Sequence, residues 1–337
     1  MTSHNDPIET VEMHTGGEPV RIVVRGYPRL QGRTLLEKRR DARDRLDHLR
    51  RRLMHEPRGH FDMYGALPVE ADRPEAAFAV LFLHNEGYST MCGHATIALG
   101  RWAVDTGRVK AVEPETRFVL QCPCGPVAVS VEVKDGRAGR VRFESVPAFA
   151  AALDRTIEVR GYGPVTVDVG YGGAFYAILP AQRLGLDMAT SSLRSLVDAA
   201  TAVTQAAKRA VPLEHPDDAD LAFLYGTILT DGGDGKGRPS VNVCVFAERE
   251  VDRSPTGSGV TARLALAHAR GQARLGEPHV FESLTRATFE GSVSREVSLG
   301  GRTAVTVEVA GESYYTGSAS FTAEAADPLK DGFLLRP

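Results

Sequence analysis

Two short segments, Met91–Thr96 and Asp252–Gly259, carry side chains that could do chemistry. Cys92 in the first and Thr256 in the second are each followed directly by a glycine. A cysteine thiolate can remove a proton, whereas an alcohol without an activating partner is not a comparable base near neutral pH. The pair therefore predicts a site with one competent acid/base, although Cys92 taken alone could equally be a small buried core residue.

The apolar pattern places both segments where a strand leads into a helix. Ala77–Leu83 is an apolar run of strand length, and helical spacing follows Cys92 until Gly107. Val241–Ala247 and then Gly257–Gly271 repeat this plan. Free N–H groups and the positive dipole end at a helix N-terminus favour a thiolate and a bound carboxylate. Two such N-termini facing each other would hold a small acid with one side chain on each of its faces.

These segments closely resemble those of the proline racemase family, and the resemblance covers nearly the whole chain. The motifs that carry it are Met91–His94, Asp252–Gly259, Met13–Pro19, Asp62–Ala66 and Tyr315–Ala319 with Gly332–Phe333. It implies an α/β (α+β) fold of two pseudo-symmetric domains, each a curled, mostly antiparallel sheet or barrel around a central helix, as in proline racemase and diaminopimelate epimerase. We expect residues 1–182 with 315–337 to form the half that carries Cys92. Residues 183–314 would form the half that carries Thr256, with the active site in the cleft between the two.

The resemblance also implies roles for individual residues. Besides the catalytic pair Cys92 and Thr256, it implies substrate-binding roles for Gly93, His94, Asp252, Gly257, Ser258, Tyr64 and Phe246. Backbone N–H groups at the two glycines and at the residues after them would hold the carboxylate, with His94 and Asp252 near the ring nitrogen. The two aromatic side chains would enclose the ring. Each assignment has a structural alternative: Asp252 could cap the following segment, His94 could bond loop backbone, and Tyr64 and Phe246 could be plain core.

Thr256 decides which reaction the resemblance predicts. Proline racemases use two cysteines, one to remove the α-proton and one to return a proton on the opposite face. A Cys/Thr pair is similar to that of the family members that dehydrate trans-3-hydroxy-L-proline. In that substrate the α-hydrogen and the 3-hydroxyl share one ring face. Cys92 could therefore remove the proton and then protonate the leaving hydroxyl, giving Δ1-pyrroline-2-carboxylate, the reaction of a hydro-lyase.

Three other functions remain open at this stage. A proline racemase or a 4-hydroxyproline 2-epimerase would need a competent second base where Thr256 stands. A non-catalytic proline-binding protein would keep the carboxylate site without exchanging the α-hydrogen. A cysteine hydrolase would need an Asn or Asp that orients His94, and the sequence places none.

Composition bounds the class of protein. The 337 residues, 42% hydrophobic and 25% charged, suffice for two domains or one large one with a sizeable core. A net charge of −3 gives no electrostatic argument for nucleic acid or an anionic membrane. Residues 1–10 show no signal pattern and no apolar run reaches membrane-spanning length, so we expect a cytoplasmic protein.

Cofactors and partners follow from the same residues. Cys122 and Cys124 form a C-x-C without a second pair, so we expect strand residues there and no metal. No cofactor is expected, because helix N-termini and a thiolate supply the electrostatics. The expected partner is a small proline-like imino acid, and a homodimer is left open.

Periodicity predicts the supporting elements. Leu36–Leu53 is expected to be a solvated helix and Leu193–Ala210 a second, amphipathic one. Residues 14–18 are expected to be loop, and Phe333–Leu335 a last strand that returns to the first half. Alternation predicts strands at Val20–Val24, Phe118–Leu120, Val127–Val131, Arg140–Phe143, Val165–Val169, Leu224–Leu229, Val241–Phe246 and Thr303–Val309.

Overall fold

The computed structural model describes residues 7–335 and shows a mixed α/β protein dominated by strands. The helices are α1 (Leu35–Arg45), α2 (Asp47–Met54), α3 (Gly93–Asp105), α4 (Leu193–Ala210) and α5 (Gly257–Ala269). Strands before α4 are β1 (Ile8–Thr15), β2 (Glu18–Arg25), β3 (Tyr64–Val69), β4 (Ala76–His84), β5 (Tyr88–Ser89), β6 (Glu115–Cys122), β7 (Gly125–Lys134), β8 (Arg137–Glu144), β9 (Phe149–Val159), β10 (Gly163–Tyr171) and β11 (Phe175–Pro180). Strands after α4 are β12 (Leu224–Thr230), β13 (Ser240–Phe246), β14 (Glu250–Asp252), β15 (His279–Glu282), β16 (Thr288–Leu299), β17 (Arg302–Gly311) and β18 (Ser313–Phe321).

The chain divides into two compact units. Among the described residues, unit 1 comprises residues 7–91, Ala95–Val141 and residues 312–335, and unit 2 comprises Cys92–His94 and Arg142–Gly311. Residues 142–182 thus group with the second unit. The assignment of catalytic halves divided at residue 182 stays a prediction.

Unit 1 is built on antiparallel pairs. β1 pairs with β2 and β18, β3 pairs with β4, and β6 pairs with β7, all antiparallel. The prediction of a loop at residues 14–18 was wrong, because β1 and β2 form a hairpin and only Gly16 and Gly17 form its turn. Both have positive φ, 62° and 90°, which glycine adopts at little cost.

Helix α3 lies against the sheet of unit 1 through a residue without a side chain. A Cβ placed on Gly100 would stand 2.7 Å from Val141, 3.1 Å from Val129 and 3.5 Å from Val131. The charged segment expected as one helix is two, α1 and α2, which meet at Leu46. A capping box between Thr34 and Glu37 begins α1.

Unit 2 is also mostly antiparallel and surrounds α5. β9, β10 and β11 pair in order, β12 to β14 form a second antiparallel set, and β15 to β17 a third. Helix α5 packs against β9, β10, β16 and β17, and α4 covers β12. The predicted fold class is confirmed, with curled strands that do not close into a barrel.

Two sequence predictions concern the chain ends and membranes. Phe333 makes a single β-bridge to Glu56 in unit 1, so the expected last strand is one bridge. The prediction that residues 1–10 contain no signal pattern concerns a segment that lies partly outside the described residues. No helix in residues 7–335 has the length and apolar character to cross a membrane.

Candidate active site

The first turns of α3 and α5 meet backbone to backbone through two glycines. A Cβ on Gly93 would stand 2.5 Å from the Cα of Gly257, and a Cβ on Gly257 would stand 2.7 Å from the Cα of Gly93. No side chain fits at such distances, because contacts below 3.0 Å are essentially never seen for a Cβ. Gly93 and Gly257 therefore pack directly against each other at the N-termini of α3 and α5, and a helix N-terminus favours a bound carboxylate.

Cys92 directly precedes α3 and is buried beside a histidine. Its side chain is 4% exposed, and its Sγ lies 3.1 Å from Nδ1 and 3.7 Å from Nε2 of His94. Nδ1 also lies 4.0 Å from Oδ2 of Asp252. In a hydrolase triad the acid orients the other ring nitrogen of the histidine, so this arrangement does not match one. The arrangement suits a Cys92 thiolate that is stabilised by His94 and that removes a proton from a ligand.

Asp252 caps the segment that follows it, which is one of the two roles that the sequence left open. Its Oδ1 accepts the N–H of Ser254 at 2.7 Å, and Ser254 Oγ accepts the N–H of Thr256 at 3.1 Å. The carboxylate is buried and its second oxygen is the one that faces His94. Asp252 therefore fixes the turn that carries Thr256 and places a negative charge beside the histidine.

Thr256 is held in a conformation that side chains rarely adopt. It is the N-cap of α5 with φ 63° and ψ 90°, and its side chain makes no capping hydrogen bond. Its Oγ1 is buried without a hydrogen-bond partner among the described residues, and the residue is 4% exposed. A strained, β-branched residue with an unpaired hydroxyl is costly and is typical of functional sites. The hydroxyl is available to a ligand, and nothing in the described chain activates it as a base.

The remaining predicted residues lie at three places. Ser258 is in the first turn of α5, where its Oγ is 2.8 Å from the hydroxyl of Tyr176. Phe246 ends β13 and stacks on Tyr225 with ring centroids 5.1 Å apart. Tyr64 belongs to unit 1, where its hydroxyl hydrogen-bonds Ser89. Except for Tyr64, every predicted site residue lies in unit 2.

The chain is similar to known proteins over nearly its full length. The proline racemase family model matches residues 10–334. The chain belongs to the proline racemase family. It is 56% identical to the trans-L-3-hydroxyproline dehydratase of Xenopus tropicalis, over 99% of this chain and 97% of that protein. It is also 56% identical to the trans-3-hydroxy-L-proline dehydratase of Homo sapiens, over 98% of this chain and 95% of that one.

A solved structure of the proline racemase family matches the fold. It is a hydroxyproline epimerase from Agrobacterium vitis with bound trans-4-hydroxy-L-proline, 26% identical, with a TM-score of 0.92 over 99% of this chain and 97% of that one. Proteins named as dehydratases and a protein named as an epimerase are thus both similar to this chain.

Three residues that support the site from behind carry no signal in the sequence. Asn242 Nδ2 donates to the carbonyl of Pro255 at 3.3 Å, and Arg263 Nη1 donates to Asn242 Oδ1 at 3.0 Å. This chain of hydrogen bonds holds the turn just before Thr256. Tyr176 is hydrogen-bonded to Ser258. Nothing in the sequence distinguishes these three from ordinary core residues.

Replacement of Thr256 by valine is expected to stabilise the ligand-free protein and to impair function. Valine keeps the branched shape, and therefore the backbone strain, but removes an unpaired buried hydroxyl that costs about 1–3 kcal/mol. We expect Tm to rise by about 2 °C, while kcat/KM falls about tenfold because the hydroxyl no longer meets the substrate. Thermal unfolding without ligand and steady-state kinetics test this. Thr256→Ser, which keeps the hydroxyl, is the control, and a Val variant with lower Tm and full activity contradicts the account.

Proposed function

We propose that this chain catalyses the cofactor-independent dehydration of trans-3-hydroxy-L-proline to Δ1-pyrroline-2-carboxylate. The observation that carries the proposal is the unequal pair at the two helix N-termini. Cys92 has a histidine 3.1 Å from its sulfur, whereas the hydroxyl of Thr256 has no partner among residues 7–335. The relatives named as dehydratases, at 56% identity over nearly the full chain, support the same reaction.

Substrate binding uses the backbone of the two helices. The N–H groups of Gly93, His94, Gly257 and Ser258 bind the carboxylate, because the N-terminus of a helix favours a negative charge. His94 and Asp252 lie near the ring nitrogen. This binding directs the ring face that carries the α-hydrogen and the 3-hydroxyl towards Cys92.

The chemistry then needs one side chain. The Cys92 thiolate takes the α-proton, the electron pair left on C2 forms the C2–C3 double bond, and the C3–O bond breaks. The Cys92 thiol returns the proton to the departing hydroxide, which leaves as water and restores the thiolate. The enamine product tautomerises to Δ1-pyrroline-2-carboxylate. Thr256 shapes and hydrogen-bonds the opposite face.

A second candidate function is an isomerase, a 4-hydroxyproline 2-epimerase or proline racemase. The Agrobacterium vitis epimerase favours it, because a protein of the same fold binds trans-4-hydroxy-L-proline. Such a reaction would require Thr256 to return a proton on the opposite face, and an unassisted alcohol does this poorly. Location in the cytoplasm and assembly as a homodimer remain predictions of the sequence.

A product assay tests the proposal. The enzyme is incubated with trans-3-hydroxy-L-proline, and borohydride then reduces any pyrroline carboxylate to proline, which chromatography quantifies. We expect proline in proportion to substrate lost. A parallel incubation with trans-4-hydroxy-L-proline should yield no cis-4-hydroxy-D-proline. If that epimer formed and the 3-hydroxy substrate gave no proline, the dehydratase proposal would be wrong and the isomerase function would take its place.

A further inference from the structure

The buried hydroxyl of Tyr176 hydrogen-bonds a side chain of the proposed carboxylate site. Tyr176 lies on β11 and is 1% exposed, and its hydroxyl oxygen is 2.8 Å from Oγ of Ser258. Ser258 is in the first turn of α5, where N–H groups have no partner within the helix. Tyr176 therefore contacts a residue of the proposed carboxylate site but is not itself part of that site.

Either hydroxyl can donate in this hydrogen bond. Burial, and after it the electrostatic effect of Cys244, raises the pKa of Tyr176 well above its ordinary value, so the phenol keeps its proton. The protonated phenol can donate to the serine oxygen, which accepts one hydrogen bond while its own proton is donated elsewhere. With Tyr176 as donor to Ser258, the serine proton is left for an acceptor in the site.

Tyr176 also contacts the aromatic side of the site. Its ring meets Tyr225 edge to face with centroids 5.8 Å apart, and Tyr225 stacks on Phe246 with an interplanar angle of 20°. The buried side chain of Tyr176 thus contacts Ser258 directly and Phe246 through Tyr225. Both of those residues lie where the carboxylate and the ring of a proline-like substrate are expected.

We propose that Tyr176 is a positioning residue that sets the affinity for the substrate carboxylate by donating to Ser258, so that the Ser258 hydroxyl donates to the carboxylate. This inference rests on the proposed function, since it assigns the carboxylate to that site. It concerns binding, and the proton transfers at Cys92 are unaffected.

The test compares Tyr176→Phe with Tyr171→Phe, a control that also removes a buried phenol hydroxyl, from an aromatic cluster with Phe149 and Phe175. The probe is L-proline, which has the ring and the carboxylate but no leaving group, measured by calorimetry. We expect Tyr176→Phe to weaken L-proline binding about tenfold, as for one hydrogen bond to a charged group, and Tyr171→Phe to change it less than twofold. KM for trans-3-hydroxy-L-proline should rise with kcat little changed.

A double-mutant cycle separates positioning from a structural role. In a Ser258→Ala background, Tyr176→Phe should cause no further loss of L-proline affinity. Inhibition by 3-hydroxypyrrolidine, which lacks the carboxylate, should be the same in Tyr176→Phe as in the unmodified enzyme. An equal loss in the Ser258→Ala background, an equal effect on 3-hydroxypyrrolidine, or no binding of L-proline by the unmodified enzyme overturns the inference. Failure of the dehydratase proposal is seen separately, in the product assay.

Discussion

Cys92→Ser is expected to lower kcat/KM for the dehydration of trans-3-hydroxy-L-proline by at least about 1,000-fold. Serine keeps the size of the side chain and its place beside His94 but is not a thiolate, and in the proposed mechanism Cys92 performs both proton transfers. Because one residue removes the α-proton and protonates the leaving group, no second base compensates. Single-turnover and steady-state assays of the pyrroline product measure the loss.

The matched control is Cys124→Ser. Cys124 lies in the turn between β6 and β7, and burial raises the pKa of its thiol to about 12, so it is not a thiolate at neutral pH. We expect this variant to keep its activity within about twofold, which excludes a general effect of losing a thiol. A Cys92→Ser enzyme that retains most of its dehydratase rate would refute Cys92 as the sole acid/base.

Gly93→Ala is the second change with a large expected effect. Helix propensity alone predicts that alanine stabilises α3 by about 1 kcal/mol. The new Cβ, however, would stand 2.5 Å from the Cα of Gly257, and backbone cannot rotate away as a side chain can. The two helix N-termini must separate, so we expect a loss of at least about 100-fold in kcat/KM, as for a misplacement of about 1 Å. Tm should fall, because overpacking of about 1–3 kcal/mol outweighs the propensity gain.

Gly87→Ala is the control for that substitution. A Cβ on Gly87 meets nothing within 4 Å, so the same chemical change has no steric consequence there. We expect its Tm and activity to match those of the unmodified enzyme. If Gly93→Ala raised Tm and kept its activity as well, the close approach of α3 and α5 would be wrong.

The sequence predicts the two helix N-termini because their signals are local. An apolar strand, a polar loop and a glycine at the start of a helical pattern lie within about 30 residues of each other at both Cys92 and Thr256. The structure confirms α4 at the predicted residues, Leu193–Ala210. This helix could be predicted because its amphipathic spacing and its N-cap residue Ser192 are also local features. Local patterns specify elements well.

Contacts between distant parts of the chain are what the sequence does not specify. Tyr176 and Ser258 are 82 residues apart, and Arg263 reaches Asn242 across 21. The strained φ of Thr256 depends on such support, because Asn242 and Asp252 hold the turn on either side of Pro255. A pattern of residue types contains no record of which side chains the fold brings together.

The central claim, that one thiol works on one face of the substrate, is tested most directly by proton NMR in D₂O. Metal-stripped enzyme is given trans-3-hydroxy-L-proline and, in a separate sample, trans-4-hydroxy-L-proline. The account predicts that the first is lost to Δ1-pyrroline-2-carboxylate carrying deuterium at C3, since the enamine takes up a solvent deuteron there, while the second is not epimerised. Epimerisation of the 4-hydroxy compound would contradict it, because a proton donor on the opposite face, at Thr256, would then be required.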